Sequence, residues 1–223
     1  MESPTKSLVM LFVMASLVGL ADTGAYGENT KGKFGLGLRG GPSVYSQDVG
    51  DGVDGDAGPV VSLVLTYGIT DFLSLGFNVE WETHNIDDLG VVDNGGGNLR
   101  TISLLPLIEL RKDFGSLTPY AFVGAGLNFN TFDEDKVLDS ANIVVEPDNT
   151  FAFKVGAGAD YFITQNWAFN TELGWKLNKG DIKGTIFSGV TPTLSDKDDF
   201  NASAFSALFG IRYYFGPFEQ WGK

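Results

Sequence analysis

Cysteine is absent from the 223-residue sequence, and its absence removes several classes of function at once. Without cysteine there can be no disulfide framework, no thiolate nucleophile and no lipid-bearing N-terminal cysteine. Histidine occurs once, at His84, so a histidine cluster for a metal ion is excluded as well. We therefore expect no metal and no cofactor.

Long apolar runs are missing outside the N-terminus. Residues 8–20 form an apolar run, with a lysine before it and small residues after it. This run is shorter than the ~20 residues of a membrane-spanning helix, and its layout is typical of a secretory signal peptide. We assign residues 1–25 to the signal peptide, cleaved after Ala21 or Ala25, and residues 26–223 to one domain.

Basic residues are the minority. The chain has 15 Lys and Arg against 28 Asp and Glu, a net charge of −13, so a nucleic-acid partner is not expected. The acids crowd into a few segments, one of which is DVGDGVDGDAG (48–58). Its spacing lacks the closing glutamate of a helix-flanked calcium loop. We read it as a solvated surface loop, with weak divalent-ion bridging to lipopolysaccharide phosphates as the alternative.

Glycine (30 residues) and phenylalanine (18 residues) are abundant, as expected for many short, closely packed strands. In LSLGFNVEWE (73–82), every odd position is apolar and every even position is polar or glycine, which predicts a strand with two unlike faces. Runs of this kind recur eight times, each about as long as a tilted strand that spans a bilayer. They occupy residues 33–42, 58–67, 73–83, 99–111, 120–130, 151–161, 167–177 and 203–215.

The connections between these runs alternate in length. The short ones are 68–72, 112–119 and 162–166, and the long ones are 43–57, 84–98, 131–150 and 178–202. Short turns at one end and long loops at the other are typical of outer-membrane barrels. We therefore predict an all-β fold, an eight-stranded antiparallel up-and-down transmembrane β-barrel with short periplasmic turns and long extracellular loops.

The polar face of the strands indicates which side lies inside. It is rich in glycine, as a narrow lumen requires, and its acids and bases balance, as buried charges must. The predicted lumen charge network is Arg39, Glu80, Glu82, Glu109, Arg111, Lys154, Asp160, Glu172, Lys176 and Arg212. The predicted apolar lumen lining is Val60, Val64, Leu105, Leu107, Phe122 and Leu208. The apolar face then meets lipid; a soluble eight-stranded lipid carrier, with that face inside, is the alternative fold.

Four stretches resemble the OmpW family of outer-membrane proteins. They are LTYGITDFLSLGFNVE (65–80), PYAFVGAGLNFNTF (119–132), VGAGADYFITQNWAFNTEL (155–173) and the ending GIRYYF (210–215). The resemblance implies a small barrel in the outer membrane of a diderm bacterium that passively admits small hydrophobic molecules and releases them sideways into the bilayer. The expected partners are outer-membrane lipid and lipopolysaccharide, small apolar solutes, and the barrel assembly machinery during biogenesis. The tail 216–223 departs from the family, whose members usually stop at the terminal aromatic residue.

Pro106 lies in the middle of a predicted strand, where it cannot donate a ladder hydrogen bond. We interpret it as a candidate lateral exit for apolar solutes; a tolerated bulge without an opening is the alternative. Two other functions stay open: a structural or surface-interaction barrel with a plugged lumen, and a lipid-modifying barrel enzyme centred on His84, next to Glu82. We do not expect an enzyme.

The membrane placement is directly testable. We expect the chain without residues 1–25 to fold only in detergent or lipid, because its strands turn their apolar faces outward. The measurement is size-exclusion chromatography and circular dichroism with and without detergent. A folded, detergent-free monomer would show that the apolar faces are inside.

Overall fold

The computed structural model describes residues 30–47, 49, 55–86, 96–188 and 191–216. The predicted signal peptide, most of the acidic segment 48–58 and the tail beyond residue 216 lie outside the described residues. Among the described residues, no helix has the length and apolarity needed to cross a membrane.

Eight strands close into an antiparallel barrel, as the sequence predicted. They are β1 (Phe34–Tyr45), β2 (Gly58–Gly68), β3 (Leu73–Ile86), β4 (Gly97–Arg111), β5 (Leu117–Glu134), β7 (Thr150–Phe162), β8 (Trp167–Leu177) and β11 (Ala204–Phe215). Around the barrel the order is β1-β11-β8-β7-β5-β4-β3-β2, and β1 pairs with both β2 and β11. Pairing of Phe34 with Phe215 joins the first strand to the last, so the barrel itself has no open edge.

The exposure of alternate side chains shows which face of each strand lies on the outside of the barrel. In β3, Leu75, Phe77 and Trp81 are 40–46% exposed, whereas the intervening Ser74 and Glu80 are 1% exposed. The other strands of the barrel alternate in the same way, with exposed apolar side chains outside and buried side chains, including all the lumen charges, inside. The apolar face is therefore the outer face, as expected of a barrel whose solvent is lipid.

Two of the four long connections hold regular structure that the sequence analysis treated as loops. The segment 131–150 contains the end of β5, a short helix α1 (Lys136–Ser140) and β6 (Ile143–Pro147). The segment 178–202 contains β9 (Lys179–Ser188) and β10 (Thr191–Asn201), and these three extra strands form a sheet in the order β10-β9-β6. These strands were not predicted from the sequence, because charges interrupt their strand pattern and only packing against one another stabilises them.

A hydrophobic cluster joins this sheet to the barrel at the long-connection end; we call the sheet, α1 and the cluster the cap. The cluster consists of Tyr45, Val49, Ile86, Leu99, Phe132, Leu138, Ile143, Val145, Phe200, Ala202 and Ala204, all buried. It draws on the ends of five barrel strands, on α1, and on β6 and β10. The cap therefore closes over the mouth of the barrel with an apolar underside.

Asp135 anchors the cap to the rim. Its carboxylate accepts hydrogen bonds from the backbone N–H groups of Val137 and Leu138, at 2.9 and 3.0 Å, and of Gly96, at 3.0 Å. It thereby caps the N-terminus of α1 and ties it to the segment before β4. The hydrogen bonds from Leu138, Gly96 and Val137 hold the pKa of Asp135 below its usual range.

Truncating the centre of the cap should loosen it without opening the barrel. Leu138 is completely buried, and its replacement by alanine should cost the cap about 2–5 kcal/mol. We expect faster amide hydrogen exchange in β6 and β9 and unchanged exchange in the paired barrel strands. Val144→Ala is the matched control, because Val144 is 39% exposed and lies outside the cluster. Equal loss of protection in cap and barrel would show that the two unfold as one unit.

Candidate functional site in the barrel lumen

All ten charged residues predicted for the lumen point inward and are buried. None has more than 4% of its surface exposed. They come from six of the eight barrel strands, because each sits at an inward position of the period-two pattern. They are Arg39, Glu80, Glu82, Glu109, Arg111, Lys154, Asp160, Glu172, Lys176 and Arg212.

Six of the ten form an upper charge cluster toward the cap. Lys154 Nζ lies 2.5 Å from a Glu80 oxygen and 3.1 Å from a Glu172 oxygen. Lys176 Nζ lies 2.7 Å from a Glu82 oxygen and 3.0 Å from the other Glu80 oxygen. Arg39 pairs with Glu172 and donates to Ser62 Oγ at 2.8 Å. The cluster thus holds three acids and three bases.

The other four form a lower charge cluster toward the short turns. Arg212 lies 3.3 Å from Glu109 and 3.2 Å from Asp160. Arg111 pairs with Asp160 and lies 3.4 Å from Glu109. The Tyr214 hydroxyl donates to Asp160 at 2.6 Å and accepts from Arg111 at 2.5 Å. Two acids and two bases balance here, so each cluster is neutral by itself.

Several of these ion pairs cross the whole lumen. In the closed order, β3 lies opposite β8 and β4 lies opposite β11. The pair Glu80–Lys176 spans the first diameter, and the pair Glu109–Arg212 spans the second. A hydrated ion moving along the barrel axis would have to break these pairs and leave charges unpaired at low dielectric constant. The axis of the barrel is therefore closed at two levels.

Tyr120 and Asn170 connect the two charge clusters. Neither residue was predicted from the sequence to have this role. The Asn170 side chain donates to the Tyr120 hydroxyl at 2.9 Å and to Asp160 at 2.7 Å. The Tyr120 hydroxyl in turn donates to Glu172 at 3.3 Å. Both residues occupy inward positions of the same alternation, which is the signal that could have identified them. Apart from this two-residue period, nothing in the sequence marks an uncharged polar residue as a hydrogen-bond partner of the lumen charges.

The six residues predicted as apolar lumen lining are all buried, with 0–7% exposed. They do not form one surface. Val60 and Val64 lie on β2 and Leu208 on β11, the two neighbours of β1, whereas Leu105 and Leu107 on β4 and Phe122 on β5 lie on the far wall. The apolar residues of that far wall flank the seam between β4 and β5.

Pro106 interrupts that seam. Strands β4 and β5 pair at Leu104↔Leu127 and again at Leu107↔Gly124, but not at the two positions between. The seam on the other side of β4 is continuous and includes the pair Phe77↔Pro106. The interruption arises because proline has no N–H to donate across the seam. The structure thus brings the predicted exit and half of the predicted apolar lining together.

A second interruption lies between β1 and β11, also at a proline. The pairing runs to Gly40↔Phe209 and resumes at Ser43↔Ser206, which leaves out Pro42. Its inner side is mixed: the buried Leu208 lies in the unpaired stretch, while on β1 Arg39 pairs with Glu172 and the Ser43 hydroxyl lies 3.4 Å from Glu82. The two interrupted seams therefore differ in what faces the lumen: Leu105 and Leu107 at the β4–β5 seam, against the single Leu208 between polar neighbours at the β1–β11 seam.

His84 lies at the cap end of β3, buried at 2% exposed. Its Nδ1 is 2.9 Å from the carbonyl oxygen of Asp56, and its ring stacks on Tyr45 with centroids 4.2 Å apart. Nε2 is 3.9 Å from Glu82 and has no hydrogen-bond partner in the described part of the chain. No hydroxyl is therefore held at the imidazole for proton abstraction within the described residues.

A closed antiparallel barrel with an apolar exterior and paired charges inside defines an integral β-barrel of an outer membrane. The family "Outer membrane protein beta-barrel domain" matches residues 10–213, and the chain belongs to this family. Its localisation to an outer membrane follows from the family and the fold.

Solved structures with this fold share little sequence with the chain. The crystal structure of the outer membrane protein OprG from Pseudomonas aeruginosa is similar at a TM-score of 0.72 and 16% identity, covering 87% of this chain and 100% of that one. A major outer membrane protein from Thermus thermophilus gives a TM-score of 0.55 at 14% identity, with 82% and 98% covered. AlkL in lipid bilayers gives 0.52 at 16% identity, with 89% and 96% covered. No curated protein matches the chain.

Breaking one cross-lumen pair should destabilise the barrel more than removing both partners. Lys176→Met leaves Glu82 buried without a cation, which should cost about 3–5 kcal/mol, whereas the double variant Lys176→Met/Glu82→Gln keeps the upper cluster neutral. We expect the double variant to recover most of the loss, measured by denaturant unfolding in detergent micelles. Lys197→Ala, which breaks an exposed pair with Asp181, is the control and should change stability by less than about 1 kcal/mol. A double variant no more stable than Lys176→Met would mean that Lys176 does not stabilise the barrel by neutralising Glu82.

Proposed function

We propose that this barrel, an OmpW-like protein, passively admits small hydrophobic molecules and releases them sideways into the membrane through the seam at Pro106. The observation that carries the proposal is the missing pairing between Leu104↔Leu127 and Leu107↔Gly124, beside an apolar inner wall. A seam with a continuous ladder would have to break hydrogen bonds to open. At this seam β4 contributes no N–H at its central position, so separation costs less.

The surfaces on both sides of the seam support the proposal. Leu105 and Leu107 line it from inside, while Ile108 and Leu127 face lipid at 45% and 53% exposed. A small apolar solute crossing here exchanges one apolar contact for another and loses no hydrogen bonds. A charged or hydrated solute would lose its water without replacement, so the route selects for hydrophobicity.

The interruption at Pro42 is less suited to such a solute. An apolar molecule that approached it from the lumen would meet Leu208 together with Arg39 and Ser43, and the last two belong to the hydrogen-bonded network of the upper charge cluster. Passage there would disturb buried ion pairs and leave charges without partners. The β4–β5 seam is therefore the route that we propose.

The charge clusters support an exit through the wall rather than along the axis. They close the barrel below the cap with ion pairs from wall to wall. A solute that enters from the cap side has no open way to the short-turn end and leaves where the wall is weakest. Outer-membrane lipid and lipopolysaccharide would be the partners of the outer face, and the barrel assembly machinery the partner during insertion.

The second candidate is a structural or surface-interaction barrel with a plugged lumen. The same wall-to-wall ion pairs favour it, together with the apolar cluster that fills the mouth below the cap. On this alternative the interruption at Pro106 is a tolerated irregularity, and the cap is the active surface. A lipid-modifying activity at His84 has less support, because Nε2 contacts no nucleophile in the described residues.

Repairing the seam should slow uptake. Pro106→Val restores one backbone N–H, worth about 1 kcal/mol, which would lower the open population about five-fold. The assay is uptake of naphthalene into vesicles with lipopolysaccharide in the outer leaflet, quantified by gas chromatography after extraction. Pro42→Val, at the other interruption, is the matched control and should leave uptake unchanged. Native uptake in the Pro106 variant would remove this seam as the exit and leave the plugged barrel.

A reversible crosslink gives a sharper control, because the native chain has no cysteine. Leu104 and Leu127 face each other directly across the seam, so Leu104→Cys/Leu127→Cys should form a disulfide that holds the strands together. We expect oxidation to block uptake and reduction to restore it. The matched pair Leu63→Cys/Val79→Cys joins β2 to β3 on a continuous ladder and should have no effect. Equal inhibition by both pairs would place the route elsewhere.

A further inference from the structure

We propose that His84 acts as a pH-dependent switch at the mouth of the barrel: its protonated imidazole pairs with Glu82 and holds the rim together beneath the cap. The inference concerns the rim and is independent of the route at Pro106. His84 is the single histidine of the chain and lies at the cap end of β3. Imidazole is the side chain whose charge ordinarily changes between pH 8 and pH 5, so His84 is suited to respond to acidification of the medium.

One hydrogen bond fixes the tautomer of the neutral ring. The Nδ1 atom of His84 lies 2.9 Å from the carbonyl oxygen of Asp56, and a carbonyl oxygen can only accept. The proton of the neutral imidazole is therefore on Nδ1, which leaves a lone pair on Nε2. The Nε2 atom is buried and has no hydrogen-bond partner among the residues that the structure describes.

The unprotonated Nε2 atom faces a carboxylate. It lies 3.9 Å from Oε2 of Glu82, and two atoms that can only accept do not form a hydrogen bond. A proton on Nε2 turns this contact of a lone pair with an anion into a charge-assisted hydrogen bond. Closing the gap to a normal hydrogen-bond length takes a movement of about 1 Å.

Glu82 can accept this hydrogen bond without releasing its present partner. Its Oε1 atom lies 2.7 Å from Lys176 Nζ, whereas Oε2 is 3.4 Å from the Ser43 hydroxyl, a long contact. The two oxygens thus face different neighbours, and the one that faces His84 is the less strongly bound. Protonation of His84 therefore adds a contact to the upper charge cluster and leaves its existing ion pairs in place.

The groups around the imidazole both oppose and favour a positive charge. Burial opposes it, and so does the ammonium group of Lys176, which binds the same carboxylate. Glu82 favours it, and so does the ring of Tyr45, which stacks on the imidazole with centroids 4.2 Å apart. The segment before β2 contributes the carbonyl oxygen of Asp56, and β4 contributes Leu99, the pairing partner of His84. The protonated ring thus has an acceptor at each nitrogen and an aromatic face beside it.

Three parts of the rim meet at His84. Its backbone belongs to β3, its ring packs on Tyr45 of β1, and its Nδ1–H group holds Asp56 in the segment before β2. The Asp56 N–H group donates in turn to the carbonyl oxygen of Asn85 at 3.0 Å. A ring that is also fixed at Nε2 by Glu82 therefore holds this segment more firmly on the end of β3.

The first measurement is the titration of the imidazole by nitrogen NMR in detergent micelles. Protein without a histidine tag carries one imidazole, so the signal needs no assignment. We expect the Nδ1–H tautomer at pH 8 and uptake of a proton on Nε2 between pH 8 and pH 5. A neutral ring in the Nε2–H tautomer, or a ring that stays neutral at pH 5, would overturn the proposal.

The second measurement is amide hydrogen exchange at Asp56, whose N–H group reports on the contact with β3. We expect a protection factor about ten-fold higher at pH 5 than at pH 8, the gain from one charge-assisted hydrogen bond. The paired amides of β7 and β8 are the internal reference and should keep their protection factors. Equal protection of Asp56 at the two pH values would show that protonation does not hold the rim.

Two variants remove the switch from opposite sides. His84→Gln cannot take up a proton, and Lys176→Met/Glu82→Gln removes the carboxylate while it keeps the upper charge cluster neutral. Each should abolish the ten-fold effect at Asp56, and the second keeps the test valid if the first fails to fold. Tyr45→Phe is the matched control and should keep the effect, because the Tyr45 hydroxyl has no partner in the described part of the chain and the ring stack remains. An effect that survives in His84→Gln belongs to another group and rules out His84 as the switch.

Discussion

Ion pairs that cross the lumen are the interaction on which the rest of this barrel depends. Five acids and five bases lie inside a wall whose other side is lipid, so none of them can be stabilised by bulk water. Their arrangement in two clusters, each neutral, lets the chain bury them. The pairs Glu80–Lys176 and Glu109–Arg212 also tie opposite walls together. The same contacts that stabilise the closed barrel thus close its axis.

A closed axis changes what the barrel can do. Porins leave a water-filled channel, whereas on the proposed function an apolar solute leaves this barrel through its wall. The interruption at Pro106 matters because it combines a weak point in the ladder with apolar side chains on both sides. On the proposed function, the charged interior excludes water and ions, and the seam admits only apolar solutes. A barrel that is closed to water and ions is therefore compatible with the proposed route for hydrophobic solutes.

The cap shows how the long connections gain structure. The segments 131–150 and 178–202 carry charges throughout, yet Leu138, Ile143 and Phe200 supply buried contacts for a small sheet over the mouth. Each strand of that sheet is too short or too charged to be stable alone. Together with the barrel rim they bury one apolar cluster, so the acidic surface of the cap is presented on an ordered scaffold.

The alternation of apolar and polar residues was enough to predict eight strands, their order of short and long connections, and the ten charges that point inward. That success has a physical reason: a barrel wall has only two faces, so a period of two assigns every side chain. The sequence could not predict which lumen charges pair with each other. Lys176 contacts Glu80 only because β8 and β3 lie opposite each other in the closed barrel. The cap strands and the linking roles of Tyr120 and Asn170 likewise depend on contacts between distant segments. The sequence by itself determined the wall and its two faces. The tertiary structure decided which charges neutralise each other, and hence that the axis is closed, because that depends on which strands lie opposite each other in the closed barrel.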